Sequence, residues 1–186
     1  PVTWSADSAF LTVAVPSADP LAADSSATLY RIGVDGSAQK LGTFAGNFVF
    51  GGAMRPSPDG QWVAYTTIPD PNNPQTFFYV AHSDGSLNNG GLVPNGTVVH
   101  GWSPDSIWVA YSTPNEGLYV SGFNGAGQPL AAGVQVVKDV VWSDATSVVF
   151  SGSLNDHWGL RLAQVGGTFA DLAGPFSNTM VFGVRP

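Results

Sequence analysis

The residues with the most chemistry to offer recur along the chain instead of clustering. Asp7, Asp59 and Asp105 each stand two residues after a serine, and Asp144 stands one after Ser143. Four such carboxylates could form a cation-binding ring. An aspartate in a Ser-Pro-Asp-Gly stretch has a nearer use, accepting hydrogen bonds from the backbone N–H groups of its own turn, and we adopt that reading. Trp4, Trp102 and Trp142 each precede the serine and could make an aromatic platform for sugar. Their fixed place before a turn fits packing between repeated units better.

The remaining motifs exclude more than they suggest. His82, His100 and His157 show neither the His-x-x-x-His spacing nor the neighbouring carboxylates of a metal site. Asp156 and His157 are adjacent, so on a strand they point to opposite faces. There is no Gly-x-Ser-x-Gly elbow for a nucleophile and no Gly-x-x-x-x-Gly-Lys phosphate loop. The 70–74 stretch, Asp-Pro-Asn-Asn-Pro, has oxygen ligands but lacks the closing Glu of a calcium loop. Asn95-Gly96-Thr97 fits a glycosylation sequon, a common chance match. With no cysteine, disulfides, thiol catalysis and zinc-thiolate sites drop out together. No catalytic residue, metal or cofactor is expected.

What positions these residues is a repeat. The serines at 5, 57, 103 and 143 lie 52, 46 and 40 residues apart, and an apolar strand follows each: Phe10 to Val15, Trp62 to Thr67, Trp108 to Thr113, Val148 to Ser153. A second strand opens at Leu29-Tyr30, Phe78-Tyr79, Leu118-Tyr119 and Leu160-Arg161 and runs to Asp35-Gly36, Asp84-Gly85, Asn124-Gly125 and Gly166-Gly167. These pairs predict two-residue hairpins with positive φ at both central positions. Four strands per unit at this period predict an all-β propeller of four-stranded antiparallel blades. The blades span about 1–45, 46–95, 96–135 and 136–176, and 177–186 adds one further strand.

Ser57-Pro58-Asp59-Gly60, Trp102-Ser103-Pro104-Asp105-Ser106 and the following Trp108-Val109-Ala110-Tyr111 resemble the repeat of TolB-like propellers, which are WD40-like in build. The same repeat forms the propeller domains of prolyl-oligopeptidase-like peptidases. The resemblance covers the whole chain and implies the blade, with almost nothing about activity. Trp-Ser-Ala-Asp in the first unit and Trp-Ser-Asp-Ala in the fourth depart from the full motif. TolB-like rings usually have six or more blades, so four units and an extra strand imply part of a larger propeller. A small four-bladed disc, or copies pairing through open blade edges, are the other two accounts.

In a propeller the first strand of each blade lines a central channel, which brings Asn47, His100, Lys138 and Asp139 forward as candidate lining residues. They could hold an anion, a small ligand or ordered water; a solvated wall is the simpler reading.

Composition bounds the partners. Thirteen acids, of which Glu116 alone is a glutamate, against six bases leave a net charge of −7. No basic patch for nucleic acid can be assembled from six scattered cations, and no apolar run approaches a bilayer span. Few Lys and Glu with much Ser, Thr, Asn and Gly point to a periplasmic or extracellular protein. The function expected is a non-catalytic interaction module that binds a protein or an extracellular polymer through the channel mouth and the rim loops at 18–26 and 70–74. A structural subunit of a surface assembly or filament is one alternative. The other is the propeller domain of a prolyl-oligopeptidase-like hydrolase whose catalytic domain lies outside these residues.

Overall fold

The computed structural model describes residues 2–5, 7–17, 25–45, 54–68 and 75–176. Asn47, the strand expected at 177–186 and nearly all of both rim loops fall outside that set. Among the described residues every regular element is a strand, as a chain rich in Val, Thr and aromatics and poor in Glu and Lys should give.

The strands form four antiparallel sheets, each a simple meander. Blade 1 is β1 (Val2–Trp4), β2 (Phe10–Pro16), β3 (Ser26–Gly33) and β4 (Ala38–Ala45). Blade 2 is β5 (Arg55–Pro56), β6 (Trp62–Thr67), β7 (Thr76–His82) and β8 (Asn88–Val93). Blade 3 is β9 (Val98–Trp102), β10 (Val109–Thr113), β11 (Gly117–Ser121) and β12 (Gly127–Ala132). Blade 4 is β13 (Val136–Trp142), β14 (Ser147–Leu154), β15 (His157–Gln164) and β16 (Phe169–Phe176).

The corner between the first and second strands is built as the serine–aspartate repeat demands. In blade 2, Ser57 N–H donates to Trp62 O at 2.9 Å, and Trp62 N–H donates back to Ser57 Oγ at 3.0 Å. Asp59 Oδ1 accepts from the Ser57 hydroxyl and from Gln61 N–H. Ser103, Asp105, Ile107 and Trp108 repeat the pattern in blade 3. Ser5, Asp7, Ala9 and Phe10 reproduce the backbone part of it in blade 1. The residue after each of these aspartates is left-handed: Ser8 at φ 57°, Gly60 at 68° and Ser106 at 65°. In blade 4 the corner is one residue shorter: Ser143 N–H donates to Ser147 O, and Asp144 Oδ1 accepts from Thr146 N–H.

The hairpins at the far end differ from expectation. Gly36, Gly85 and Gly125 are left-handed, while Asp35, Asp84 and Asn124 before them are not. Gly36 N–H bonds to Gly33 O, and Gly33 N–H bonds to Ser37 O. That is a three-residue loop, a type I turn closed by a left-handed glycine. The acidic residue accepts from the N–H two positions on, as in Ser37 N to Asp35 Oδ1 at 2.9 Å and Ser86 N to Asp84 Oδ1 at 2.8 Å. This side-chain cap supplies the reason Asp precedes Gly.

The core is divided among the junctions between successive blades. Leu29 and Phe44 of blade 1 pack on Val63 and Tyr65 of blade 2. Phe78 and Val80 of blade 2 pack on Val109 and Tyr111 of blade 3. Leu118 and Val120 of blade 3 pack on Val148 and Phe150 of blade 4. The Phe78 and Tyr111 rings stack with centroids 4.5 Å apart, an arrangement worth about 0.5–1.5 kcal/mol beyond the area it buries. Among the described residues no such cluster joins blade 4 to blade 1.

The recurring tryptophans seal these junctions. Trp102 donates its indole N–H to Arg55 O at 2.6 Å, and Trp142 donates to Gly101 O at 3.1 Å. Each acceptor immediately precedes the corner residue of the blade before. Trp102 is 7% exposed, whereas Trp4, with no described blade ahead of it, is 55% exposed.

A candidate binding cleft on the inner strands

The innermost strands β1, β5, β9 and β13 lie in sequence along the inner side of the blades. Each ends at the tight serine corner, so the residues just before that corner are held by both the corner and the junction. They line a cleft of about 250 Å³. Val2 and Thr3 come from blade 1, Arg55, Pro56 and Pro58 from blade 2, and His100, Gly101 and Trp102 from blade 3.

Arg55 supplies the cation. Its Nε–H donates to Val99 O at 3.4 Å, tying the stem of the guanidinium across the junction to β9. His100 lies beside it, with Nε2 2.8 Å from Ser112 Oγ on β10. Burial first, and the Arg55 charge second, push the His100 imidazole down to about 4. A serine hydroxyl on a histidine nitrogen is the first contact of a nucleophilic pair. Here a neighbouring cation lowers the basicity of the imidazole, the opposite of what an orienting carboxylate does in such a pair. A base with pKa near 4 is poorly matched to proton abstraction at neutral pH. At neutral pH the imidazole on the cleft wall is therefore uncharged.

Lys138 and Asp139 sit on β13 in blade 4 and are not among the residues lining this cleft. Lys138 Nζ lies 5.4 Å from the centre of the Trp158 ring. Asp139 occupies a break in the β13–β14 register with φ of 49° and accepts from Ser151 Oγ at 3.0 Å. Ser151 follows Phe150 as Ser112 follows Tyr111, so His100 and Asp139 make the same kind of contact, from the inner strand to a hydroxyl on the second strand. The cleft therefore unites His100 with Arg55 and leaves Lys138 and Asp139 one blade away.

Arg55 is the residue the sequence reading missed. It precedes Pro56, which takes the place held by tryptophan in the other blades, and that one-residue offset was the available signal. The other two histidines stand apart: His82 Nδ1 is 2.7 Å from Asp84 Oδ1 in blade 2, and His157 is exposed on blade 4. Among the described residues no three of His, Cys, Asp and Glu gather as a metal would need. Asp7, Asp59, Asp105 and Asp144 each serve their own turn. The Ser5 hydroxyl is the main reason the Asp7 carboxyl lies below the usual range, and the Thr146 N–H does the same for Asp144.

Solved structures share this blade architecture. A protein described as TolB from Agrobacterium tumefaciens superposes with a TM-score of 0.62 at 20% identity, over 93% of this chain and 61% of that one. The chain folds as TolB-like propeller blades. The β-propeller domain of the Trilobed protease from Pyrococcus furiosus, described as having an open velcro topology, gives a TM-score of 0.55 at 11% identity, over 90% of this chain and 55% of that one. A dipeptidyl peptidase 4 from Porphyromonas gingivalis gives 0.53 at 15% identity, over 92% of this chain and 30% of that one. The chain thus spans less than two thirds of each of these structures, and identities this low speak for the fold alone. No family model and no curated protein matches the sequence.

Proposed function

We propose that this chain is a non-catalytic propeller module of the periplasm or the cell exterior that docks a protein or an extracellular polymer. The observation that carries this reading is the cleft itself. An arginine is held at a concave junction of three blades, next to a neutral histidine, in a protein whose net charge is −7. A local cation on an otherwise acidic surface selects partners that place a carboxylate there, and Arg can meet one with two parallel N–H donors. The low lysine and glutamate content supports the location outside the cytoplasm.

The test is an array of short peptides with free or amidated C-termini, probed with the intact chain and with Arg55→Gln. Binding that favours free carboxylates, weakens at least tenfold in Arg55→Gln and weakens with salt is the expected result. Equal binding to both peptide classes, or none, overturns the carboxylate reading.

A second reading is supported by the peptidase neighbours, whose chains this one matches over 30–31% of their length. In that case the blades gate access to a catalytic domain. A parent reading frame that continues into a segment with a Gly-x-Ser-x-Gly elbow supports it, and a frame without a hydrolase segment removes it.

A further inference from the structure

Three blades open their second strand with an aromatic ring five residues after the corner serine: Phe10, Trp62 and Trp108. In blade 1 the Arg31 guanidinium covers Phe10, 4.4 Å from the ring centre. In blade 2 His82, directly across the strand pair, meets Trp62 edge-on at 5.4 Å, and Phe123 of the next blade stacks on it at 4.3 Å. Trp108 has neither cover. Val109 pairs with Ser121, which puts Gly122 opposite Trp108 where blade 2 has His82. The bonds Gly125 N to Gly122 O and Gly167 N to Gln164 O put Val165 of blade 4 at the turn position of Phe123, and a valine cannot stack. Two small residues thus leave one indole without a ring or cation upon it among the described residues.

The result is a cleft of about 570 Å³ on blade 3, lined by Trp108, Phe123, Asn124, Gln128 and the small residues between. Its volume falls within the range of ligand sites. One part of Trp108 packs against the core between blades 3 and 4, which fixes the ring, and the residue is left half-buried. Its indole N–H differs from those of Trp102 and Trp142, which are both taken by backbone carbonyls. Among the described residues it has no acceptor, and the Gln128 amide has no partner. Asn124 Oδ1 accepts from Ala126 N–H at 3.1 Å, which leaves its NH₂ group to donate outward. No lining residue is charged, in a chain of net charge −7.

We propose that this cleft binds a neutral saccharide. A sugar ring has an apolar C–H face, which suits the negative face of an indole, and an edge of hydroxyls. Each hydroxyl donates and accepts, and so do the Gln128 amide and the Asn124–Trp108 donors with the water they displace. The uncharged lining selects against acidic sugars and charged peptides. A polyproline segment needs a groove with successive free aromatic ridges, and here Phe123 is already committed to Trp62. The cleft shares no lining residue with the one around Arg55, so this inference goes beyond the carboxylate reading and does not depend on it.

The test is calorimetric titration of the chain with short cello-, malto- and chito-oligosaccharides, with oligogalacturonate and a proline-rich peptide as controls. Binding of at least one neutral series, unchanged by added salt, and no binding of either control are expected. Gly122→His rebuilds the Trp62–His82 pair inside the cleft, and a Cβ there lies at an ordinary 3.6 Å from Trp108 Cζ3. It should weaken sugar binding at least tenfold with an unchanged melting profile, as should Trp108→Ala if that chain folds. Gln128→Ala should weaken it severalfold, and Arg55→Gln should leave it unchanged. Failure to bind any of the three neutral series overturns the proposal, as does tighter binding of the proline-rich peptide. Sugar binding indifferent to Gly122→His and Gln128→Ala overturns this site. None of these results bears on carboxylate binding at Arg55, which is read from the peptide array.

Discussion

The indole N–H of Trp102 donates to the backbone carbonyl of Arg55 at 2.6 Å across the junction of blades 2 and 3. One side chain thus anchors a blade to its neighbour and fixes the backbone of the arginine that lines the inner cleft. The bond is part-buried, and its loss would leave a desolvated carbonyl without that donor. Trp102→Phe should cost about 2 kcal/mol of unfolding free energy, from the lost bond and the smaller ring together. Trp142→Phe removes a longer bond from a less buried ring and should cost about 1 kcal/mol. Urea unfolding with unchanged m-values is the measurement, and equal costs at both sites would contradict the ranking.

Ser8 and Ser106 occupy the same left-handed corner position that Gly60 fills in blade 2. A non-glycine residue there carries a steric penalty of about 1–2 kcal/mol, against about 0.5–1 kcal/mol of extra chain entropy that glycine loses on folding. Ser8 is exposed, so Ser8→Gly should stabilise by about 0.5 kcal/mol. Ser106 is buried, and its hydroxyl accepts from Asp59 N–H at 3.0 Å, joining two corners. Ser106→Gly forfeits that bond and should be neutral or destabilising by about 1 kcal/mol. The two thermal midpoints should therefore move in different directions, and a common rise would show that the Ser106 bond contributes nothing.

How far the sequence could be read follows from how local each feature is. Ser57, Asp59 and Trp62 close their corner within six residues, so the motif alone predicts the geometry found. Asp35-Gly36 was legible as a tight turn but not as its type, because the pair suits both a two-residue loop and a three-residue one. The choice is made by Ser37, whose N–H the Asp35 side chain takes. Arg55 and His100 lie 45 positions apart in the chain, and their meeting depends on how one blade rotates onto the next. No short-range pattern carries that information.

Gly42 on β4 is a close-approach position between blades 1 and 2. A Cβ there would lie 2.5 Å from Ser83 O and 2.7 Å from Asp84 C, both backbone atoms. Because a backbone cannot turn aside as a side chain can, Gly42→Ala must separate the two blades locally. The expected cost is about 1–3 kcal/mol. Gly91 on β8 has nothing within 4 Å of its built Cβ and no left-handed φ, so Gly91→Ala should be neutral or slightly stabilising. Equal denaturation midpoints for the two variants would refute the contact.

His100 makes stability depend on pH over a defined window. Its imidazole is pushed down to about 4 in the folded protein, by burial and then by Arg55, while in the unfolded chain it titrates near 6.5. Below about 4 both states hold the proton, and above about 6.5 neither does. Between the two values the unfolded chain binds a proton that the folded protein refuses, so stability rises with pH across this interval and is lost as pH falls through it. The full loss amounts to about 3 kcal/mol at most. The Asp7 and Asp144 carboxyls, held below their ordinary range, lose their contribution only at lower pH, which separates the two effects. His100→Asn should flatten the unfolding free energy between about pH 6.5 and 4.5 relative to the parent chain. If denaturation profiles of the two proteins run parallel through that interval, the protonation of His100 is not what governs acid stability here.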